Sequence, residues 1–361
     1  MLKVIHGADF HLDSPFSGLS PEQAAHRRGE QRMLLDDLAR VAREREADLV
    51  LLSGDLLDSA HVYRETALAL SQALGSIPCP VFISPGNHDF YSPRSVYATL
   101  DWPDNVHIFT ASTPEWVDLP AKNCRVWGRA FCASQEEVRP LSGFRSEGDG
   151  QTLQLMCLHA DLAPQSNYAP ISPSEIAASG LDYLALGHIH QCTGLQKLGG
   201  TYWAYPGCPE GRGFDETGEK GILYVELEPG AARTQFIPLA RHRYQVLTVD
   251  VTGQRPLDAV LAALPQRTEG DSYRIIFTGE GETPDLAALQ SVLAPRFYSL
   301  TLADRTRPPR DLWARRGEDS LTGLFLQTMW ARYQDDPDNQ LLPLALRFGM
   351  AALEQGEDVA P

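Results

Sequence analysis

Five short apolar runs in the first 190 residues each end in a cluster of histidine, aspartate or asparagine, and no other feature constrains the fold as much. Leu2 to His6 leads into Gly7-Ala-Asp-Phe-His11, Asp48 to Ser53 into Gly54-Asp55-Leu-Leu-Asp58, and Pro80 to Ser84 into Pro85-Gly-Asn-His-Asp89. Leu153 to Leu158 ends in His159, and Asp182 to Leu186 ends in Gly187-His-Ile-His190. The apolar runs read as buried strands. Helical stretches over 22–46 and 64–74 separate the first three, placing Leu34, Leu38, Val41 and Ala42, then Ala67, Leu70 and Leu74, on one face. The order β-α-β-α-β predicts an α/β fold. In open sheets of that class ligands bind off the carboxyl ends of the strands, so the five clusters should converge on one site.

Each cluster alone has a plain reading. Asp9-x-His11 suits a turn, Gly54-Asp55 a helix N-cap, His159 a hydrogen-bonded strand end, and His188 with His190 a sheet edge, because strand-to-helix turns favour Asp, Asn and Gly anyway. Five such clusters in one chain argue for a shared purpose. Carboxylates, imidazoles and an amide suit hard or borderline divalent metals and proton transfer.

The 361 residues suggest roughly two domains. A net charge of −16 argues against a protein that coats nucleic acid or anionic membrane through its overall field, while leaving room for a local basic groove or bridging cations. The six cysteines show no metal-ligand spacing and read as reduced thiols of a cytoplasmic protein. The start of the chain turns polar too soon for a signal peptide, and no apolar run approaches a membrane span.

Short strands are expected at 106–109 and 125–130, then a Ser/Gly/Glu-rich loop at 142–151. Lys220 to Leu227 reads as a strand. From about Arg243 the pattern restarts as strand 245–251, helix 256–264, strand 273–278, helix 285–294 and strand 299–304, a small α+β domain. Arg305-Thr-Arg-Pro-Pro-Arg310 reads as a basic linker. Ser320 should cap a helix whose Leu321, Leu324, Phe325, Thr328 and Met329 form an apolar stripe; 340–353 is a second helical run, and the acidic tail from 354 is expected to fray. His6 suits a supporting role near the site, His61 a solvated position, and Arg129 and Arg212 either substrate phosphate or a salt bridge.

The succession DxH, GDxxD, GNHD, a lone His and GHxH resembles the calcineurin-like metallophosphoesterase superfamily over residues 5–190. The longer match Ile5-His-Gly-Ala-Asp-Phe-His-Leu-Asp-Ser-Pro-Phe16, with the small downstream domain, resembles its DNA-repair nuclease branch of SbcD and YhaO type. The resemblance implies a sandwich of two mixed β-sheets flanked by helices over 1–240, a capping domain over 243–304, and a basic linker with docking helices over 305–361. It implies one metal held by Asp9, His11, Asp55 and His190, and a second by Asp55, Asn87, His159 and His188. A water activated between them would attack phosphorus, with His88 as proton donor, Asp89 orienting it and Asp58 in support. Mn²⁺ is the ion the resemblance implies, although the donors also accept Zn²⁺, Fe²⁺, Co²⁺ or Mg²⁺. Implied partners are DNA, an SMC-like coiled-coil ATPase docked on the Leu321 to Met329 stripe, and a second copy of the chain; no membrane is implied. Two alternatives stay open: an enzyme acting on a small phosphodiester or phosphomonoester, and a subunit that binds metal without turnover.

Overall fold

The computed structural model describes residues 1–17, 19–59, 62–146, 150–281, 283–307, 313–339 and 341–355. His61, part of the Ser/Gly/Glu-rich loop, the end of the basic linker and the tail from 356 lie outside the described residues. Two compact units divide the chain, Met1–Arg241 and His242–Pro361.

The first unit contains two six-stranded mixed sheets. In one, β1 (Leu2–Gly7), β2 (Leu49–Leu52), β3 (Val81–Ile83) and β4 (Val106–Ile108) run parallel, and β11 (Gly221–Glu228) and β12 (Ala231–Pro238) add antiparallel beside β1. In the other, β6 (Cys124–Gly128), β7 (Leu153–His159), β8 (Tyr183–Gly187) and β10 (Thr201–Ala204) are parallel, with β5 (Glu115–Leu119) and β9 (Gln196–Leu198) antiparallel at the edges. Alternation of side chains explains why the central strands are apolar throughout. Leu49 and Leu51 join Val4, Phe82, Leu155, Cys157, Tyr183 and Ala185 in the core between the sheets. Val50 and Leu52 face the other way, against Leu34, Leu38 and Leu70 from α1 (Pro21–Glu44) and α2 (Arg64–Gly75). The opposite sheet buries Met156, Leu158, Leu184 and Leu186 against Ile176 of α4 (Pro173–Ala178), where α3 is the short turn Val96–Thr99. Helix, sheet, sheet and helix therefore stack as four layers, the α/β sandwich expected of the chain. The carboxyl ends of β1, β2, β3, β7 and β8 carry the histidine, aspartate and asparagine clusters.

Capping explains where α1 begins: Ser20 and Gln23 form a reciprocal capping box, with Pro21 in the first turn. All six cysteines are free thiols, of which Cys132 is exposed and Cys192 half-buried. Among the described residues, no helix is long and apolar enough to cross a membrane.

In the second unit β13 (Tyr244–Asp250), β14 (Ser272–Thr278) and β15 (Ser299–Asp304) form a parallel sheet crossed by α5 (Pro256–Ala263) and α6 (Leu286–Leu293). The same unit holds α7 (Leu321–Asp335) and α8 (Leu341–Gln355). Ser320 caps α7 by accepting from Gly323 N at 3.0 Å. The expected apolar stripe divides. Met329 is buried with Leu326, Trp313, Leu342 and Leu346, and Phe325 packs on that cluster. Leu321 and Leu324 instead stand 69% and 60% exposed, because the pairing with α8 buries a face turned toward Leu326.

Candidate metal centre

The loops after β1 and β2 are laced together. Asp9 N donates to Gly54 O and His11 N to Asp55 O, each at 3.0 Å. Asp9, His11 and Asp55 adopt positive φ of 55°, 44° and 50°, a conformation that costs non-glycine residues about 1–3 kcal/mol each and recurs at functional sites. Two glycines make room. A Cβ on Gly54 would overlap His159 Nδ1, and one on Gly86 would overlap Asp55 Oδ1.

These turns assemble acceptors facing acceptors. His190 Nδ1 donates to Glu216 Oε1 at 2.6 Å, and His11 Nδ1 stands 3.2 Å from Asp58 Oδ1. Both carboxylates only accept, so Glu216 holds the His190 proton on Nδ1, and Asp58, close to His11 Nδ1 though outside hydrogen-bond geometry, favours the same tautomer there, leaving the lone pairs on Nε2. Yet the two Nε2 atoms lie 3.1 Å apart. His159 repeats the arrangement: Nδ1 donates to Ser53 O at 2.9 Å, while Nε2 faces Asn87 Oδ1 at 3.0 Å and Asp55 Oδ2 at 3.5 Å. Asp55 Oδ2 is also 3.7 Å from His11 Nε2, so it lies between the two groups. Lone pairs and carboxylates packed this closely repel one another unless cations lie among them.

Electrostatics agree. Burial pushes the imidazoles of His11 and His188 down to about 4 and that of His159 down to about 3, so all three are neutral at pH 7, the form that can bind a cation. Burial, with the charge of Asp55, raises Asp9 well above the usual carboxylate range. Ligand atoms of Asp9, His11 and His190 lie within 4.8 Å of one another, as do those of Asp9, Asp55 and His159. The donor set fits two divalent ions sharing Asp55.

His188 stands at the margin of this cluster. Its ring is edge-on to His159 at 5.2 Å, its backbone N–H donates to both oxygens of Asp9 at 3.0 and 3.1 Å, and its Nε2 lies 3.7 Å from Asp161. His88 is exposed, its N–H donates to Asp55 Oδ1 at 2.9 Å, and its Nδ1 donates to the carbonyl of Asp58 at 2.8 Å. The expected orienting role of Asp89 is therefore corrected: Asp58 holds the His88 ring. Asp89 accepts from Gly86, Leu56 and Leu57 N and from Tyr97 Oη, and so ties the loops after β2 and β3 together. Burial and the charge of Asp55 push it up to about 6.

Arg212 takes the salt-bridge reading, donating to Asp58 Oδ1 at 2.9 Å and Glu216 Oε1 at 2.8 Å. Arg129 is also paired, with Glu136, but in the interior rather than on the surface. His6 bonds Tyr183 Oη at 2.9 Å and Leu186 O at 3.1 Å, linking the two sheets beneath the site. Glu216 and Asp161 were not singled out in the sequence. Glu216 lies among Asp215 and Glu219 in a glycine-rich loop, where only the fold distinguishes one acid from another.

A family model described as calcineurin-like phosphoesterase matches residues 2–192. The chain is also 28% identical over 343 residues to a Bacillus subtilis (strain 168) protein described as the uncharacterized metallophosphoesterase YhaO, covering 88% of this chain and 81% of the relative.

Proposed function

The chain belongs to the calcineurin-like phosphoesterase family, and we propose that it is a Mn²⁺-dependent DNA nuclease, exonuclease or endonuclease, acting in repair with an SMC-like ATPase. The observation that carries the metal-dependent part is the opposition of lone pairs at His11, His190 and His159, which two cations would relieve. Asp9, His11, Asp55 and His190 would hold one ion, and Asp55, Asn87, His159 and His188 the other. Bound ions would lower the pKa of water and neutralise charge on the phosphoryl oxygens. His88 is exposed beside this cluster and, when protonated, can donate to a leaving oxygen; its bond to Asp58 fixes the ring for that task.

The DNA reading is supported by the resemblance of Ile5 to Phe16 and by a second unit carrying Arg305 and Arg307 exposed past β15. The net charge of −16 favours the rival reading, a small phosphoester substrate. Purified protein with Mn²⁺ should degrade linear duplex DNA. Hydrolysis of small phosphodiesters alone, with duplex left intact even when the ATPase is present, would select the rival. For the partner, exposed Leu321, Leu324, Leu341 and Leu344 on α7 and α8 offer an apolar surface. Leu321→Glu with Leu324→Glu should abolish co-purification of the ATPase while sparing hydrolysis; retained binding rejects that surface.

A further inference from the structure

We infer that Glu216 and Arg212, from the loop Gly211-Arg-Gly-Phe-Asp-Glu, are positioning residues that set the proton on two ligand histidines from behind the site. This rests on the metal-dependent reading above. Glu216 is buried and its two oxygens carry four contacts at once, the longest from Arg212 Nε to Oε2 at 3.4 Å. Its Oε1 accepts from His190 Nδ1 at 2.6 Å and from Arg212 Nη2 at 2.8 Å, while Oε2 accepts from Arg212 N at 2.7 Å. Arg212 Nη1 then reaches Asp58 Oδ1 at 2.9 Å, and that same oxygen stands 3.2 Å from His11 Nδ1. One chain of contacts, His190 to Glu216 to Arg212 to Asp58 to His11, therefore runs behind the two rings whose Nε2 atoms meet in front. Lys220 adds an anchor by donating from Nζ to the carbonyl of His190 at 2.9 Å.

The geometry makes the carboxylate specifically necessary. Arg212 Nη2 lies 3.3 Å from His190 Nδ1, and a guanidinium can only donate. With Glu216 present, Nδ1 has an acceptor at closer range, keeps its proton, and leaves Nε2 free to bind a cation. Without Glu216 the nearest group is a donor. The ring would then accept from Arg212 at Nδ1 and carry its proton on Nε2, where the ion has to sit. The grouping of His190, Cys208 and Glu216 is thus a support and no third cation site, since the carboxylate is already engaged by an imidazole N–H and an arginine.

The test is Mn²⁺ titration calorimetry on the full chain after chelation, paired with ¹⁵N NMR of the imidazoles in the chelated state. In Glu216→Ala one of the two Mn²⁺ binding steps should weaken by roughly 10–100-fold, the range found when such supporting partners are removed. The other step should stay near wild type. The His190 signals should move to the Nε2–H tautomer. Glu216→Gln, whose amide oxygen can still accept from Nδ1, should lose less. Unchanged Mn²⁺ affinity in Glu216→Ala or an unchanged tautomer would overturn the inference. Should Glu216→Ala fail to fold, Glu216→Met, of similar volume but without an oxygen acceptor, takes its place: wild-type affinity or an unchanged tautomer in it overturns the inference. Wild-type protein that binds no Mn²⁺ would instead sink the metal-dependent function itself.

Discussion

At the scale of single residues, Asn87 and His88 are neighbours with separable tasks. Asn87 presents its amide oxygen to His159 Nε2, whereas His88 turns outward on the carbonyl of Asp58. His88→Ala should lower turnover by about 10²–10⁴-fold with Mn²⁺ affinity kept, the loss typical of a missing proton donor. Asn87→Ala should weaken Mn²⁺ binding. Steady-state kinetics with calorimetry separates the two, and unchanged turnover in both would refute the assignment. His6 supplies a pH dependence away from the ligands. Burial lowers its imidazole to about 3 against an ordinary 6.5, so between those values the unfolded chain binds a proton that the folded chain does not. Stability must then fall as pH drops through that window, by at most about 1.4 kcal/mol per pH unit from this group. His11, His159 and His188 titrate there too, so urea midpoints of chelated His6→Gln should fall less steeply than wild type by no more than one proton's share.

At the scale of elements, what was legible in the sequence had a local physical signature. The central parallel strands announced themselves because both faces are buried, and the candidate ligands because polar side chains clustered where those strands ended. The edge strands β5 and β12 did not, since half-exposed positions interleave Glu115, Asp118, Arg233 and Gln235 with apolar residues. The stripe on α7 misled for a related reason. An amphipathic helix shows which residues are apolar, but which of them α8 covers depends on how the two helices pair. Glu216 and the true partner of His88 depended on contacts between distant loops, for which sequence spacing carries no signal. Where capping chemistry is local, the reading was direct. Ser320→Ala should cost about 1 kcal/mol of the stability of the second unit, measurable as an earlier urea transition by α7 tryptophan fluorescence.

At the scale of the whole molecule, every candidate ligand lies in the first compact unit, Met1–Arg241. A fragment ending at 241 should bind Mn²⁺ and hydrolyse a small phosphodiester at a rate within a few-fold of the full chain, assayed side by side; loss of metal binding would show that the second unit is needed to build the site. The division of ligands inside that unit has a mechanical consequence. Asp9, Asp55 and Asn87 belong to the loops of one sheet, whereas His159, His188 and His190 belong to the other. Cations bound among them would act as rivets through the open rim of the sandwich, adding to the hydrogen bonds that cross it there from His6 to Leu186 O, Ser53 Oγ to Ala185 O, His159 Nδ1 to Ser53 O and His188 N to Asp9. Chelation would loosen that rim first, and amide exchange should quicken together at 53–55 and 187–190 while the centres of β2 and β8 stay protected.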